Sequence, residues 1–268
     1  MQKKIVAIGG GENGRIKTDG TRKLYETANI DLEIIRLTKK LKPNYLFLGH
    51  SQNEPESEQS YFETMKRIYG DMYGCECRTI TRKDLTENIS KVLEYIEWAD
   101  IIYEGGGDTK SMVELWRSTG FDKILKDAWE NGKVMCGVSA GGNCWFKLCS
   151  SDSLKIQLQD DTAPLIEVEG LGFINAFFVP HCDVATETTN RLAHMKEALK
   201  ENNMVGIAMS NCAAIEIVGD KYKMITCDAS NHGITAYGLK SYWKDGEYIE
   251  EFIDTSDELK ELESLLNY

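Results

Sequence analysis

The sequence predicts an α/β fold, with a mainly parallel central sheet flanked by helices and some antiparallel strands in the C-terminal part. Three observations carry that expectation. In the first half, short apolar runs alternate with longer segments of helical periodicity, as parallel strands joined by helices require. At Val134-Met-Cys-Gly-Val-Ser-Ala-Gly-Gly-Asn-Cys-Trp-Phe146 an apolar run ends in Gly137-Val-Ser-Ala-Gly141, and a helix-like segment follows at once. Beyond that corner the pattern changes to short strands separated by turns.

Ile5–Ile8 reads as the first strand and is followed by a long Gly-rich loop. Ile30–Leu41 reads as part of a helix, with Ile30, Ile34, Ile35 and Leu37 on one side. Tyr45-Leu-Phe-Leu48 is a buried strand that ends in the polar loop Gly49-His-Ser-Gln-Asn53. Helix Ser57–Tyr69 leads to strand Glu76–Ile80, and helix Ser90–Trp98 precedes strand Ile101-Ile-Tyr103. That strand runs into Gly105-Gly-Gly-Asp-Thr109. Ser111–Arg117 and Phe121–Asn131 read as helices, the second stopped by Asn131-Gly132. After Ser139, the segments Phe177-Phe-Val179, Val205–Met209, Ala213–Val218, Lys221–Thr226 and Ile234–Tyr237 read as short strands, with a hairpin at Val218–Tyr222. Thr188–Glu201 is the one long helix among them, and Asp257–Leu266 a terminal helix. No repeat, low-complexity run or linker interrupts the chain, so residues 1–268 are expected to form one domain.

The chain is long enough to bury a substantial core. Its formal charge of −12 argues against a nucleic-acid partner, because no basic stripe can supply the counterion-release term. The apolar run after Met1-Gln-Lys-Lys is too short for a signal sequence, and no later run approaches the ~18 residues of a membrane span. Eight cysteines are scattered without a C-x-x-C pair, so neither zinc nor a redox dithiol is indicated. A reducing, cytoplasmic setting is expected.

A serine in a strand–turn–helix corner projects its hydroxyl above the sheet edge, and small flanking residues let the backbone turn that sharply. Ser139 occupies such a corner. The N–H of Ala140 then sits at a helix N-terminus, where partial positive charge favours an oxyanion. The plainer alternative is a turn in which Ser139 only caps the helix. Gly9-Gly-Gly-Glu-Asn-Gly14 fits G-x-G-x-x-G, but Thr18-Asp-Gly20 breaks the chain again, so a tight turn at the sheet edge is favoured over a dinucleotide site. Gly105-Gly-Gly-Asp-Thr109 lies at a strand's carboxyl end, where its backbone can approach a ligand and give a second oxyanion donor. Alternatively, Asp108 or Thr109 caps the next helix.

A serine nucleophile needs a base, and the chain offers His50, His181, His194 and His232. His181 ends the apolar run Ala176-Phe-Phe-Val-Pro180 and is favoured by position, without excluding the others. For the group that orients the imidazole, Asp152, Asp160, Asp161 and Asp183 all remain open.

Taken in order, Gly105-Gly-Gly-Asp-Thr109, Gly137-Val-Ser-Ala-Gly141, Ser151-Asp-Ser153 and Pro180-His181 resemble the dipeptidase E family of serine peptidases. The resemblance covers most of the chain and implies a class I glutamine amidotransferase-like fold, with serine where those enzymes carry cysteine. It implies Ser139 as nucleophile, His181 as general base and Asp152 as acidic partner. Gly107 and Ala140 would supply the oxyanion N–H groups. Aspartyl dipeptidases carry an arginine soon after the base, where this chain has Thr188 or its neighbours, and Arg191 is the nearest substitute. Asp108 stands where asparagine is common, so Asp108 and Arg191 are the substrate-binding candidates and strict specificity for N-terminal aspartate is not implied.

The expected function is that of a serine exopeptidase hydrolysing dipeptides or small peptide amides through an acyl-enzyme on Ser139, with no metal or organic cofactor. Its partner is a small peptide substrate, and a homodimer is compatible with the sequence. The alternatives are an α/β-hydrolase-type esterase, which usually places its acid further beyond the elbow, and a non-catalytic small-ligand-binding module.

Overall fold

The computed structural model describes residues 1–17, 19–227 and 235–268. The first half of the chain runs β1 (Lys4–Ile8), α1 (Ala28–Leu37), β2 (Asn44–Leu48), α2 (Pro55–Lys66), β3 (Glu76–Ile80), α3 (Asp84–Glu87) and α4 (Ile89–Trp98). It continues through β4 (Ile101–Glu104), α5 (Thr109–Thr119), α6 (Phe121–Glu130) and β5 (Val134–Val138). Then come α7 (Ala140–Asn143), β6 (Phe146–Ser151), α8 (Ser153–Leu158), β7 (Ile166–Glu169), β8 (Ile174–Val179), β9 (Ala185–Thr186), β10 (Thr189–Asn190) and α9 (Arg191–Asn202). The chain ends in β11 (Gly206–Met209), β12 (Ala213–Val218), β13 (Lys221–Thr226), β14 (Gly238–Lys244), β15 (Glu247–Phe252), β16 (Lys260–Glu261) and α10 (Leu262–Leu266).

Among the described residues these strands form two main sheets. The first has the order β16-β13-β12-β1-β5-β4-β2-β3. Its pairings are parallel from β1 through β3 and antiparallel on the other side of β1, as the sequence predicts. Side chains alternate along β1, so Ile5 and Ala7 enter one core cluster while Val6 and Ile8 enter another. Both faces are therefore covered, which is why the strand is continuously apolar.

The second sheet, in the order β15-β14-β11-β8-β6-β7, is the main departure from expectation. β8 and β11 do not extend the first sheet; they pair in parallel with each other, and β6 joins β8. The helix-like segment after Ser139 is a single short turn. α7 covers only Ala140–Asn143, and the chain passes directly into β6. Phe146 and Phe178 stack at 4.5 Å and share one core cluster with Ile5, Ala7 and Met135, so the two sheets are packed through a common apolar layer.

Smaller differences have local causes. The helix predicted over Ser57–Tyr69 widens into a π-helical turn at Arg67–Met72. Thr188–Glu201 begins instead with β10, and its helix starts at Arg191 after an Asn190 cap. Asp245 and Gly246, with φ of 52° and 82°, form the turn between β14 and β15, a hairpin that the Asp-Gly pair signals in the sequence. The predicted strand Ile234–Tyr237 begins outside the described residues, and 235–237 carry no strand. The predicted hairpin at Val218–Tyr222 is present, with Val218 opposite Lys221.

The corner that carries Ser139 depends on absent side chains. A Cβ on Gly137 would lie 2.6 Å from the Glu104 carbonyl oxygen, and one on Gly141 only 2.1 Å from it. Gly141→Ala is expected to lower unfolding stability by about 1–3 kcal/mol, as overpacking does. The measurement is a urea melt, with a lower midpoint and unchanged slope as the outcome.

Candidate active site

Ser139 follows β5 with φ 55° and ψ −111°, a conformation that costs a non-glycine residue about 1–3 kcal/mol. Three hydrogen bonds hold it there. Its N–H donates to the Ile8 carbonyl at the end of β1 (3.0 Å), and its own carbonyl accepts from Gly142 (2.9 Å) and Asn143 (2.8 Å) at the start of α7. The Ala140 N–H has no partner among the described residues.

His181 comes from the second sheet, past the end of β8, and is also held at positive φ, 50°. Its N–H donates to the carbonyl of Gly9, one residue after the oxygen that holds Ser139 (3.0 Å). The side chains of both residues line a single cavity of about 990 Å³ together with Gly106, Gly107 and Asn211. Among the described residues no hydrogen bond joins the Ser139 hydroxyl to the imidazole. In ligand-free enzymes that contact is commonly long.

The imidazole is oriented by an amide. His181 Nδ1 lies 2.8 Å from Asn211 Oδ1, and Asn211 Nδ2 donates to both carboxylate oxygens of Asp183 at 3.2 and 3.0 Å. Because Nδ2 must face the carboxylate, Oδ1 faces the ring. Nδ1 therefore carries the proton, and Nε2 is left with its lone pair. Burial lowers the pKa of His181, and the Arg191 charge lowers it further; the Asn211 bond, Asp152 and Asp183 oppose that shift.

The glycine loop between β4 and α5 is pinned through three of its N–H groups. Gly105 N–H donates to Leu48 O (3.0 Å), Gly106 N–H to the Tyr61 hydroxyl (3.3 Å) and Asp108 N–H to Ser51 O (2.8 Å). Of these four successive N–H groups only that of Gly107 lacks a partner among the described residues. Gly107 has φ 150°, and a Cβ there would lie 2.4 Å from Ser51 O, so glycine is required.

Several residues singled out in the sequence are engaged elsewhere. Asp152 pairs with Arg191 at 2.8 Å and makes no hydrogen bond to His181, so the direct orienting contact expected of Asp152 belongs to Asn211. Arg191 is 5 % exposed and does not line the cavity; its charge is spent on Asp152 and on the end of β6. Asp108 is fully buried, caps α5 by accepting from Ser111 N–H (3.1 Å), and accepts from Gln157 (2.9 Å). Neither substrate-binding candidate lines this cavity. His50 is locked between Trp116 Nε1 and the Ile80 carbonyl, and burial drops its pKa to about 3. His194 contacts Ser150 Oγ (2.9 Å), and His232 lies outside the described residues. Asp160 only closes a surface turn with Thr162.

The cations of the cavity wall are Arg15, Arg22 and Arg67. Arg15 is paired with Glu12 at 3.4 Å. Arg22 and Arg67 reach backbone carbonyls of Asn13 and Gly14 and have no carboxylate partner among the described residues. Neither these arginines nor Asn211 is among the site residues the sequence predicts. Asn211 follows the apolar run of β11 at a strand's carboxyl end, the same signal that favoured His181.

Residues 18–225 match the sequence model of peptidase family S51. The chain belongs to that family. It is 29 % identical over 239 residues to the uncharacterized peptidase YgaJ of Bacillus subtilis (strain 168), covering 88 % of this chain and 91 % of the relative. A crystal structure of a peptidase from an acI-B1 Actinobacterium shares the fold, with a TM-score of 0.69, 19 % identity and 97 % coverage of both chains. As an S51 member the chain is a serine-type peptidase, and the dipeptidase E resemblance read from four motifs agrees with the match. No group of three or more His, Cys, Asp or Glu able to hold a metal occurs among the described residues, and no helix there is long and apolar enough to cross a membrane.

Two outcomes follow for the S51 site. His181 should titrate below the ordinary histidine value of 6.5, and Asn211→Asp should raise its pKa, because a carboxylate on Nδ1 stabilises the imidazolium. Histidine NMR titration of both proteins measures this. A Cβ on Gly10 would lie 2.3 Å from His181 Nδ1 and 2.2 Å from Asn211 Oδ1. Gly10→Ala is therefore expected to displace the ring, shown by a changed His181 resonance.

Proposed function

We propose that this S51 member is a cytoplasmic serine exopeptidase that hydrolyses dipeptides or other small peptide amides, with residues 1–268 acting as one domain. One observation carries the reading. Consecutive carbonyls at the end of β1 hold the backbones of Ser139 and His181, whose side chains share one cavity.

In the proposed reaction Ser139 Oγ attacks the scissile carbonyl carbon while His181 Nε2 takes the hydroxyl proton. The carbonyl oxygen becomes an oxyanion facing the N–H groups of Gly107 and Ala140, both without a partner among the described residues. Collapse breaks the C–N bond, and Nε2 returns the proton to the leaving amine. Water, deprotonated by the same nitrogen, then releases the acyl group and restores Ser139. Asn211 keeps the ring in the tautomer that leaves Nε2 free. The chemistry draws on no metal or organic cofactor.

Short substrates are favoured by the cavity wall. Its volume lies within the range of small-molecule sites, and Arg22 and Arg67 stand ready for a carboxylate such as the C-terminus of a short peptide. All eight cysteines are free, which fits a reducing compartment.

Ser139→Ala and His181→Ala are each expected to lower dipeptide hydrolysis by several orders of magnitude without shifting the thermal midpoint. A panel of dipeptides with acidic and neutral residues, run beside simple esters, reads the outcome. Full activity in Ser139→Ala, or turnover of esters alone, would count against the proposal.

A further inference from the structure

We infer that Gln52 is a positioning residue that aims the oxyanion-binding N–H of Gly107, an inference that rests on the reading of Ser139 given above. Gln52 Nε2 donates to the carbonyl of Gly106 at 2.5 Å. In a planar trans peptide the carbonyl of one residue and the N–H of the next point in opposite directions. Pulling the Gly106 oxygen toward Gln52 therefore turns the Gly107 N–H away from it.

The peptide unit that Gln52 orients lies beside the nucleophile. A Cβ on Gly106 would lie 3.3 Å from Ser139 Cβ and 3.9 Å from its Oγ, so the Gly106–Gly107 unit passes beside the hydroxyl. The neighbouring planes are fixed independently of Gln52. Ser51 Oγ holds the Gly105 carbonyl (3.1 Å), and Ser51 O accepts from Asp108 N–H (2.8 Å). One plane in the loop is thus set by a side-chain amide that itself lines the cavity, and that plane carries the loop N–H that lacks a partner among the described residues.

Glycine makes such a device necessary. Gly107 at φ 150° and Gly106 beside it have little intrinsic preference for one plane orientation over its flip. A donor on the carbonyl side resolves the choice before substrate arrives, which is the preorganisation that oxyanion stabilisation depends on.

The effect falls on the transition state rather than on ground-state binding. Gln52→Ala is expected to lower kcat about ten- to a hundredfold, part of the loss typical of a missing oxyanion donor, with KM within twofold of wild type. Gln52→Glu keeps the length but sets a carboxylate against the Gly106 oxygen, and kcat should fall at least as far. A second readout uses two inhibitors built on the acyl residue of the best dipeptide. The amino aldehyde bonds its carbonyl carbon to Ser139 Oγ, passing the hydroxyl proton to His181 and forming an oxyanion; the corresponding amino alcohol does not. Aldehyde affinity should fall in step with kcat, and alcohol affinity should hold.

A wild-type kcat in either folded variant, or equal losses for aldehyde and alcohol, overturns the role of Gln52. Hydrolysis that survives Ser139→Ala would instead overturn the underlying reading, so the two failures are distinguishable.

Discussion

Two backbone oxygens at the end of one strand organise this site. Ile8 O accepts the Ser139 N–H and Gly9 O accepts the His181 N–H, both at 3.0 Å. One residue arrives from the parallel sheet and the other from the second sheet, and β1 is where the two are registered against each other. Each is held at a positive φ that neither side chain would choose alone. The strain is offset because the bonds that impose it also satisfy carbonyls that would otherwise be left at a strand end.

That arrangement explains the run Gly9-Gly-Gly11, which reads in the sequence as a tight turn at a sheet edge. β1 is not an edge strand; it lies between β12 and β5. A Cβ on Gly9 would meet the carbonyl oxygens of Met209 and Ser210 at 2.4 Å, so the chain leaving β11 presses on the backbone there. Gly10 forms the floor beneath the His181–Asn211 bond, and its carbonyl accepts the Cys212 N–H (3.0 Å). The space beside these glycines is taken by the protein's own backbone and side chains. Beyond them the loop returns through Tyr25 and Thr27, whose hydroxyls donate to the buried carboxyl of Asp31 at 2.8 Å each, anchoring the cavity wall to α1.

The parts of this structure that were legible in the sequence are those decided locally. Alternation and period place β1 to β5 and their helices, and the small residues around Ser139 mark the corner before any contact is known. The second sheet was not legible, because β8 and β11 carry the same apolar signal whichever neighbour they pair with. Partner choice depends on contacts between residues far apart in the chain. The same applies to the imidazole's partner. Asn211 is 30 positions from His181 and is an ordinary loop amide by composition, whereas Asp152 carries the charge that a triad suggests. Its carboxylate is taken by Arg191, 39 positions away, a pairing that no local pattern announces.

The substitution of an amide for a carboxylate at the imidazole has a physical logic of its own. A carboxylate on Nδ1 stabilises the protonated ring and raises its pKa, which strengthens the base and leaves it charged in more mildly acidic solution. An amide oxygen fixes the tautomer equally well but does less to favour the charged form. Asp183 restores part of that charge at one remove, since it holds the far side of Asn211 through both oxygens and the backbone N–H (2.8 Å). Arg191 acts in the opposite sense, and its ion pair with Asp152 leaves only a residual field at the ring. Orientation and charge, usually supplied together by one acid, are here divided among an amide, an exposed carboxylate and an ion pair of which only the Arg191 side is buried.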